Sequence, residues 1–171
     1  MADKAVAHFR QIDQPDQVIM ILLFSACAAL GTDNALKLVK DALKKMPKSF
    51  LSNPRLLAAL FDAFIKCGDC KSAELIFSKL PKTVISFGNL MDGFNREENF
   101  EKTFEIFEEF KRTQMKPNFV IYLTVLKALS KIGVMSMAES IIEDMPRSFL
   151  KNKMIQNALV DLWVRCYASS S

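Results

Sequence analysis

The chain has a single histidine, His8, and only five glycines, none of them clustered. One histidine cannot complete a zinc site around the cysteine pair Cys67 and Cys70, because a structural site needs four ligands, usually two such pairs or a pair with histidines. Scattered glycines leave no loop that could cradle a phosphate, and neither G-x-S-x-G nor H-x-E followed by P-C-x-x-C occurs. Long apolar runs are also missing. The longest, Val18 to Phe24, falls well short of the roughly 18 residues that cross a bilayer, so no membrane partner is expected. The opening MADKAVAHFR lacks a secretory hydrophobic region and, with Asp3 and one arginine, makes a poor transit peptide. If the full protein enters an organelle, its address is not expected in this chain.

Half of the 171 residues are hydrophobic, enough to bury a sizeable core, and the net charge of +4 is only mildly basic. Such a charge suits a nucleic-acid partner without requiring one. Four cysteines without a signal peptide imply reduced thiols rather than a disulfide framework.

The chain is organised as a repeat. An apolar quartet at i, i+3, i+4, i+7 occurs as Met20, Leu23, Phe24, Cys27 and returns as Leu57, Leu60, Phe61, Phe64. It recurs as Phe87, Leu90, Met91, Phe94, as Tyr122, Val125, Leu126, Leu129 and, with a polar first member, as Gln156, Leu159, Val160, Trp163. Each is one buried stripe of an amphipathic helix. A second helical pattern follows, at i, i+4, i+7: Ala73, Phe77, Leu80; Thr103, Phe107, Phe110; and Ala138, Ile142, Met145. Ala5, Phe9, Ile12 has the same spacing with no first helix before it, whereas the copy at Ala35 and Val39 is looser and one residue out of step. A turn residue, Gly31, Gly68, Glu98 or Gly133, separates the paired helices, and Pro15, Pro47, Pro81, Pro117 or Pro146 follows the second. Pro54 falls in a predicted first turn, where its missing N–H does no harm.

These signals predict helices at about 2–12, 17–29, 33–45, 54–66, 70–79, 84–96, 99–113, 119–131, 135–145 and 153–166. The fold class expected is all-α, a right-handed α-solenoid of stacked helical hairpins forming a single domain over residues 1–171. Its units are 17–53, 54–83, 84–118 and 119–152, with partial units 1–16 and 153–171. The orphan helices of those partial units should expose apolar stripes, marked by Phe9 and Ile12 at one end and Leu159 and Trp163 at the other. Self-association through these faces is expected.

Cys67 and Cys70 bracket one of the glycine turns, and the equivalent of Cys67 in the last copy, Cys166, has no second cysteine near it. The pair therefore reads as a turn, and no metal or cofactor is expected. His8 has no catalytic partner, and the carboxylates of REENFEKTFEIFEEFKR lie along a solvated helix face. No catalytic residues are assigned and the chain is expected not to be an enzyme.

The stretches LLAALFDAFIKCGDCKSAELIFSKLPKTVISFGNLMDGF and MKPNFVIYLTVLKALSKIG, with the closing NALVDLWVRC, resemble pentatricopeptide repeats. The unit lengths resemble the mixed-length subclass found in organelle RNA-editing factors, although these 171 residues do not contain the deaminase domain that often ends such proteins. The rival is a tetratricopeptide-like, protein-binding scaffold. Its first helix normally carries a small residue where Phe24, Phe61, Met91, Leu126 and Val160 stand here. The resemblance implies single-stranded RNA as partner, read at about one base per repeat, in a mitochondrion or plastid.

A cation stands near the end of four consecutive first helices, at Lys66, Arg96, Lys131 and Arg165. One cation per repeat suits a phosphate chain; a Lys or Arg at a helix C-terminus also simply complements the helix dipole. Ala29 breaks the series. At about 100° per residue, the second residue of each unit lies close to that cation: Val18, Arg55, Ile85, Val120 and Met154. The resemblance makes these the residues that sandwich bases, while core packing accounts for the apolar ones equally well. Arg55 is a poor core residue and can stack on a base. The resemblance also pairs the fifth residue of each unit with the last for base reading. The pairs are Ile21 with Asn53, Ala58 with Thr83, Gly88 with Asn118 and Leu123 with Asn152, and Asn157 opens an incomplete unit. With mostly apolar fifth positions, weak sequence preference is expected.

Overall fold

The computed structural model describes residues 15–168 together with Phe9 and Ile12. Ala5, His8 and most of the helix expected at 2–12 lie outside the described residues; Phe9 is helical, and the Ile12 amide donates to its carbonyl at 3.1 Å. Regular structure among the described residues is helical throughout, without a strand, as the fold class requires. The chain falls into two compact units, 1–82 and 83–171.

In the first unit, α1 (Gln17–Leu30) and α2 (Asp33–Lys45) form one hairpin, and α3 (Pro54–Lys66) and α4 (Cys70–Phe77) the next. The quartets on α1 and α3 are all buried, and on α2 the buried triplet is Ala35, Val39, Ala42. That triplet has the spacing of the other second helices, its third member disguised in the sequence by small size. Phe61 on α3 stacks on Phe77 of α4 with ring centroids 5.9 Å apart. The C-terminal ends of α1 and α3 approach closely. The Cys67 thiol donates to the Cys27 carbonyl at 3.4 Å, and a Cβ on Gly31 would sit 3.2 Å from the Lys66 carbonyl oxygen. With φ of 57°, Gly31 is required both by conformation and by space.

Across the two hairpins, Lys40 Nζ on α2 lies 2.6 Å from Asp69, whose carboxylate also caps α4 by accepting from the Ser72 amide at 3.0 Å. Burial alone would raise the Asp69 carboxyl, but the Lys40 ammonium and the bonds from Ser72 outweigh it and hold the group below its usual range. A carboxyl depressed in the folded state stabilises fully above the unfolded pKa, about 3.9, and loses that contribution as pH falls through the folded value. Asp69→Asn keeps a capping side chain and removes the titration. It is expected to flatten the acid limb of stability below about pH 4, measured by denaturant midpoints across pH; an unchanged limb would remove Asp69 from the account.

In the second unit, α5 (Val84–Arg96) pairs with α6 (Phe100–Arg112) and α7 (Phe119–Ile132) with α8 (Met135–Glu143). The turn α9 (Arg147–Leu150) leads to α10 (Lys153–Ala168). Phe87, Leu90, Met91 and Phe94 on α5 meet Thr103, Phe107 and Phe110 on α6, all buried. Asn95 ties three helices together, donating to the Thr124 carbonyl of α7 at 2.8 Å while its own carbonyl accepts from the buried Thr103 hydroxyl at 2.8 Å. Glu98 takes the glycine place in the turn and adopts the same left-handed conformation, with φ of 56°.

Three expectations need correction. The helices expected at 70–79 and 135–145 stop earlier, at Phe77 and Glu143, so Leu80 and Met145 lie beyond them. Units 17–53 and 119–152 carry short helices the periodicity missed, a 3-10 turn at Lys48–Ser52 and α9. Both arise from one motif, Met-Pro, a basic residue, then Ser-Phe-Leu-x-Asn, at 46–53 and 145–152. In each, the Phe amide donates to the Pro carbonyl and the Asn amide to the Phe carbonyl, at 2.9–3.0 Å. Last, α10 buries Ile155, Ala158, Leu159, Leu162 and Cys166, so its buried stripe is rotated from the expected quartet. Leu159 is buried instead of marking an exposed face, because α10 packs that side on α7. Val160 and Trp163 are exposed, since no second helix covers them among the described residues.

Among the described residues, α8 is the only one of the four second helices without a side-chain cap: Thr32, Asp69 and Asn99 cap α2, α4 and α6, while Val134 precedes α8. Val134→Asp is expected to stabilise the second unit by about 1 kcal/mol, read as a higher denaturation midpoint. A lower midpoint would mean that the packing of Val134 outweighs a cap.

Candidate nucleic-acid interface

The first helices α1, α3, α5, α7 and α10 carry the candidate residues, and their shared geometry follows from how each helix begins. The last residue of the preceding unit is an N-cap in every case. Asp16 accepts from the Ile19 amide at 2.8 Å, and Asn53 from those of Arg55 and Leu56 at 2.9 and 3.4 Å. Thr83 accepts from Ser86 at 3.1 Å within a capping box. Asn118 accepts from Val120 and Ile121, both at 3.1 Å, and Asn152 from Met154 at 2.8 Å. Capping fixes each helix start and therefore the register of the residues behind it. It also gives these polar side chains a structural occupation. Each asparagine has its carbonyl engaged, and the Asn53 amide donates to Gln17 at 2.6 Å.

Two residues after each cap stands the second position. Val18, Ile85 and Met154 are 63%, 70% and 52% exposed, Val120 is 37% exposed, and Arg55 is exposed. Core packing thus does not explain four apolar side chains at this place. Eleven residues further, Lys66, Arg96, Lys131 and Arg165 are all exposed. Between the two, seven residues after the second position, lies a member that sequence reasoning passed over: Asp62 on α3, Asp92 on α5, Lys127 on α7 and Asp161 on α10. Steps of seven and eleven residues return to within about 20° on a helix, so the three form one stripe per first helix. The same wheel would have shown it from the sequence, had the acidic residues been followed along with the cations.

The acidic members change the electrostatics. Arg96 Nε lies 3.5 Å from Asp92 and Arg165 Nε 3.0 Å from Asp161. The Arg165 guanidinium beside it, followed by the Ser130 hydroxyl, holds the Asp161 carboxyl below its usual range.

The fifth positions divide. Ala58 and Asn157 are exposed, Ile21 is half-buried, and Gly88 and Leu123 are buried. A Cβ on Gly88 would contact Val120 and Ile121 at 3.6 and 3.7 Å, so α5 and α7 are close there. Leu123 is turned into the core and presents nothing to a base. Only Asn157 offers an exposed polar side chain at a fifth position.

The four cysteines are buried free thiols. Burial pushes Cys27 up to about 11 and raises Cys67 as well, so both stay protonated and unreactive at neutral pH. Among the described residues no group of His, Cys, Asp and Glu could hold a metal, and no helix is long and apolar enough to cross a membrane.

Helical hairpins repeated along the chain, each first helix capped by the unit before it, define a helical-repeat protein. The family model for the PPR repeat matches residues 85–113 and 120–148, within the units 84–118 and 119–152. This chain belongs to the pentatricopeptide repeat family. A chloroplastic pentatricopeptide repeat-containing protein of Arabidopsis thaliana is 28% identical over 157 residues, 90% of this chain and 21% of that protein. A second from the same plant is 31% identical over 143 residues, 82% of this chain and 19% of its own length. A mitochondrial one is 28% identical, covering 88% of this chain and 22% of its own. The chain spans about a fifth of the length of these relatives.

Proposed function

We propose that the chain is a non-enzymatic, single-stranded RNA-binding segment of an organellar protein that takes part in RNA processing or editing-site recognition, its two compact units acting as one repeat domain of the mixed-length type. The observation that carries this reading is the exposed second-position series, Val18, Arg55, Ile85, Val120 and Met154, of which all but Val18 share their helix stripe with a cation. Exposed apolar side chains at fixed intervals offer flat surfaces to bases, and a cation on the same stripe offers charge to the backbone linking them. Chloroplastic and mitochondrial relatives support the organellar setting. Sequence preference is weak, because the last positions are engaged as caps and most fifth positions are apolar.

A salt titration against labelled single-stranded RNA tests this. Four phosphate contacts give a log–log slope of about −3. The buried fifth positions favour one competitor, a scaffold whose exposed apolar series receives a protein. Absence of salt-dependent RNA binding would decide for it.

A further inference from the structure

We infer that within residues 83–171 an RNA backbone is gripped chiefly at α7, by Lys127 and Lys131 together, while Arg96 and Arg165 are held back by aspartates on their own helices. This rests on the RNA reading above and makes the phosphate site uneven instead of one equal contact per repeat.

The argument is one of charge along the stripe. On α5 and α10 the cation follows an aspartate by one turn and is paired with it, at 3.5 Å for Arg96 with Asp92 and 3.0 Å for Arg165 with Asp161. Both members of each pair are about half exposed, so a phosphate approaching either arginine also meets the carboxylate. The sum presented to the strand is close to zero. On α7 the same two places hold Lys127 and Lys131, both exposed, and the sum is two positive charges. The surrounding turn of α7 contributes Leu123, Thr124 and Ser130, none of them acidic. Lys131 also acts on the Asp161 carboxylate of α10, but that group is bonded first to Arg165. Like charges one turn apart disfavour a helix, and a phosphate oxygen between two ammonium groups reverses that sign. Lysine suits the task as a compact, mobile point charge.

The test uses the full chain, a labelled oligouridylate and a salt series. Lys127→Ala with Lys131→Ala and Arg96→Ala with Arg165→Ala lower the net charge equally. The lysine variant is expected to flatten the slope by about 1.4 and to lose roughly tenfold in affinity at low salt, while keeping or raising its helicity. The arginine variant should change affinity by less than about threefold. Asp92→Asn with Asp161→Asn, which releases both arginines, should bind more tightly with a steeper slope. Equal losses in the two alanine variants, or weaker binding by the asparagine variant, would overturn the inference while the RNA reading stands. A wild-type chain that does not bind the oligomer would instead bring down the RNA reading itself.

Discussion

Phe87→Ala is expected to destabilise the second unit by about 3–5 kcal/mol, whereas Ile85→Ala, two residues earlier on the same helix, should stay within about 0.5 kcal/mol of wild type. Phe87 is fully buried, and its ring meets Phe110 edge-on with centroids 5.3 Å apart. Removing it leaves a cavity between α5 and α6 that backbone adjustment only partly fills, so transfer and cavity terms add. Ile85 is 70% exposed and leaves no cavity. Guanidinium unfolding followed by circular dichroism compares them directly. Similar losses would mean that Ile85 is packed after all, and the main support for a base-contacting surface would go with that result.

The second large effect concerns binding rather than folding. Changing Ile85, Val120 and Met154 together to Ser removes three exposed apolar contacts and adds no charge. If each stacks on a base at the low end of the usual range, about 1 kcal/mol apiece, affinity for single-stranded RNA falls on the order of a hundredfold. The salt slope should be preserved, because no phosphate contact is lost. A flattened slope, or full affinity in a variant that keeps its helicity, would contradict the assignment.

The helices were legible because their signal is long and redundant. Phe24 or Phe94 could be placed from three neighbours at helical spacing as well as from its own type. Short elements carry no such redundancy, and the turns at 48–52 and 147–150 span too few residues to show a period. They were visible only as a duplicated phrase. The rotation of α10 was hidden for another reason: which side of a helix is buried depends on what lies beside it, and here that neighbour is α7. At the candidate interface the cations were found because positive charge was sought. Asp62, Asp92 and Asp161 are equally regular, and omitting them gave an evenly charged ladder where the arginines are paired. Whether an apolar second position is core or surface could not be decided by pattern, since hydrophobicity alone does not say which way a side chain turns.

The capped junctions constrain how such a chain can diverge. Asp16, Asn53, Thr83, Asn118 and Asn152 each close one unit and start the helix of the next. Only short side chains with an oxygen near the backbone can do this, which leaves essentially Asp, Asn, Ser and Thr. A mutation that introduced a long or apolar residue there in search of a new base contact would fray the following helix and displace its second position. Whatever vocabulary of bases this position can spell, it is therefore written with four letters, and each change of letter is first judged by whether the next repeat still folds.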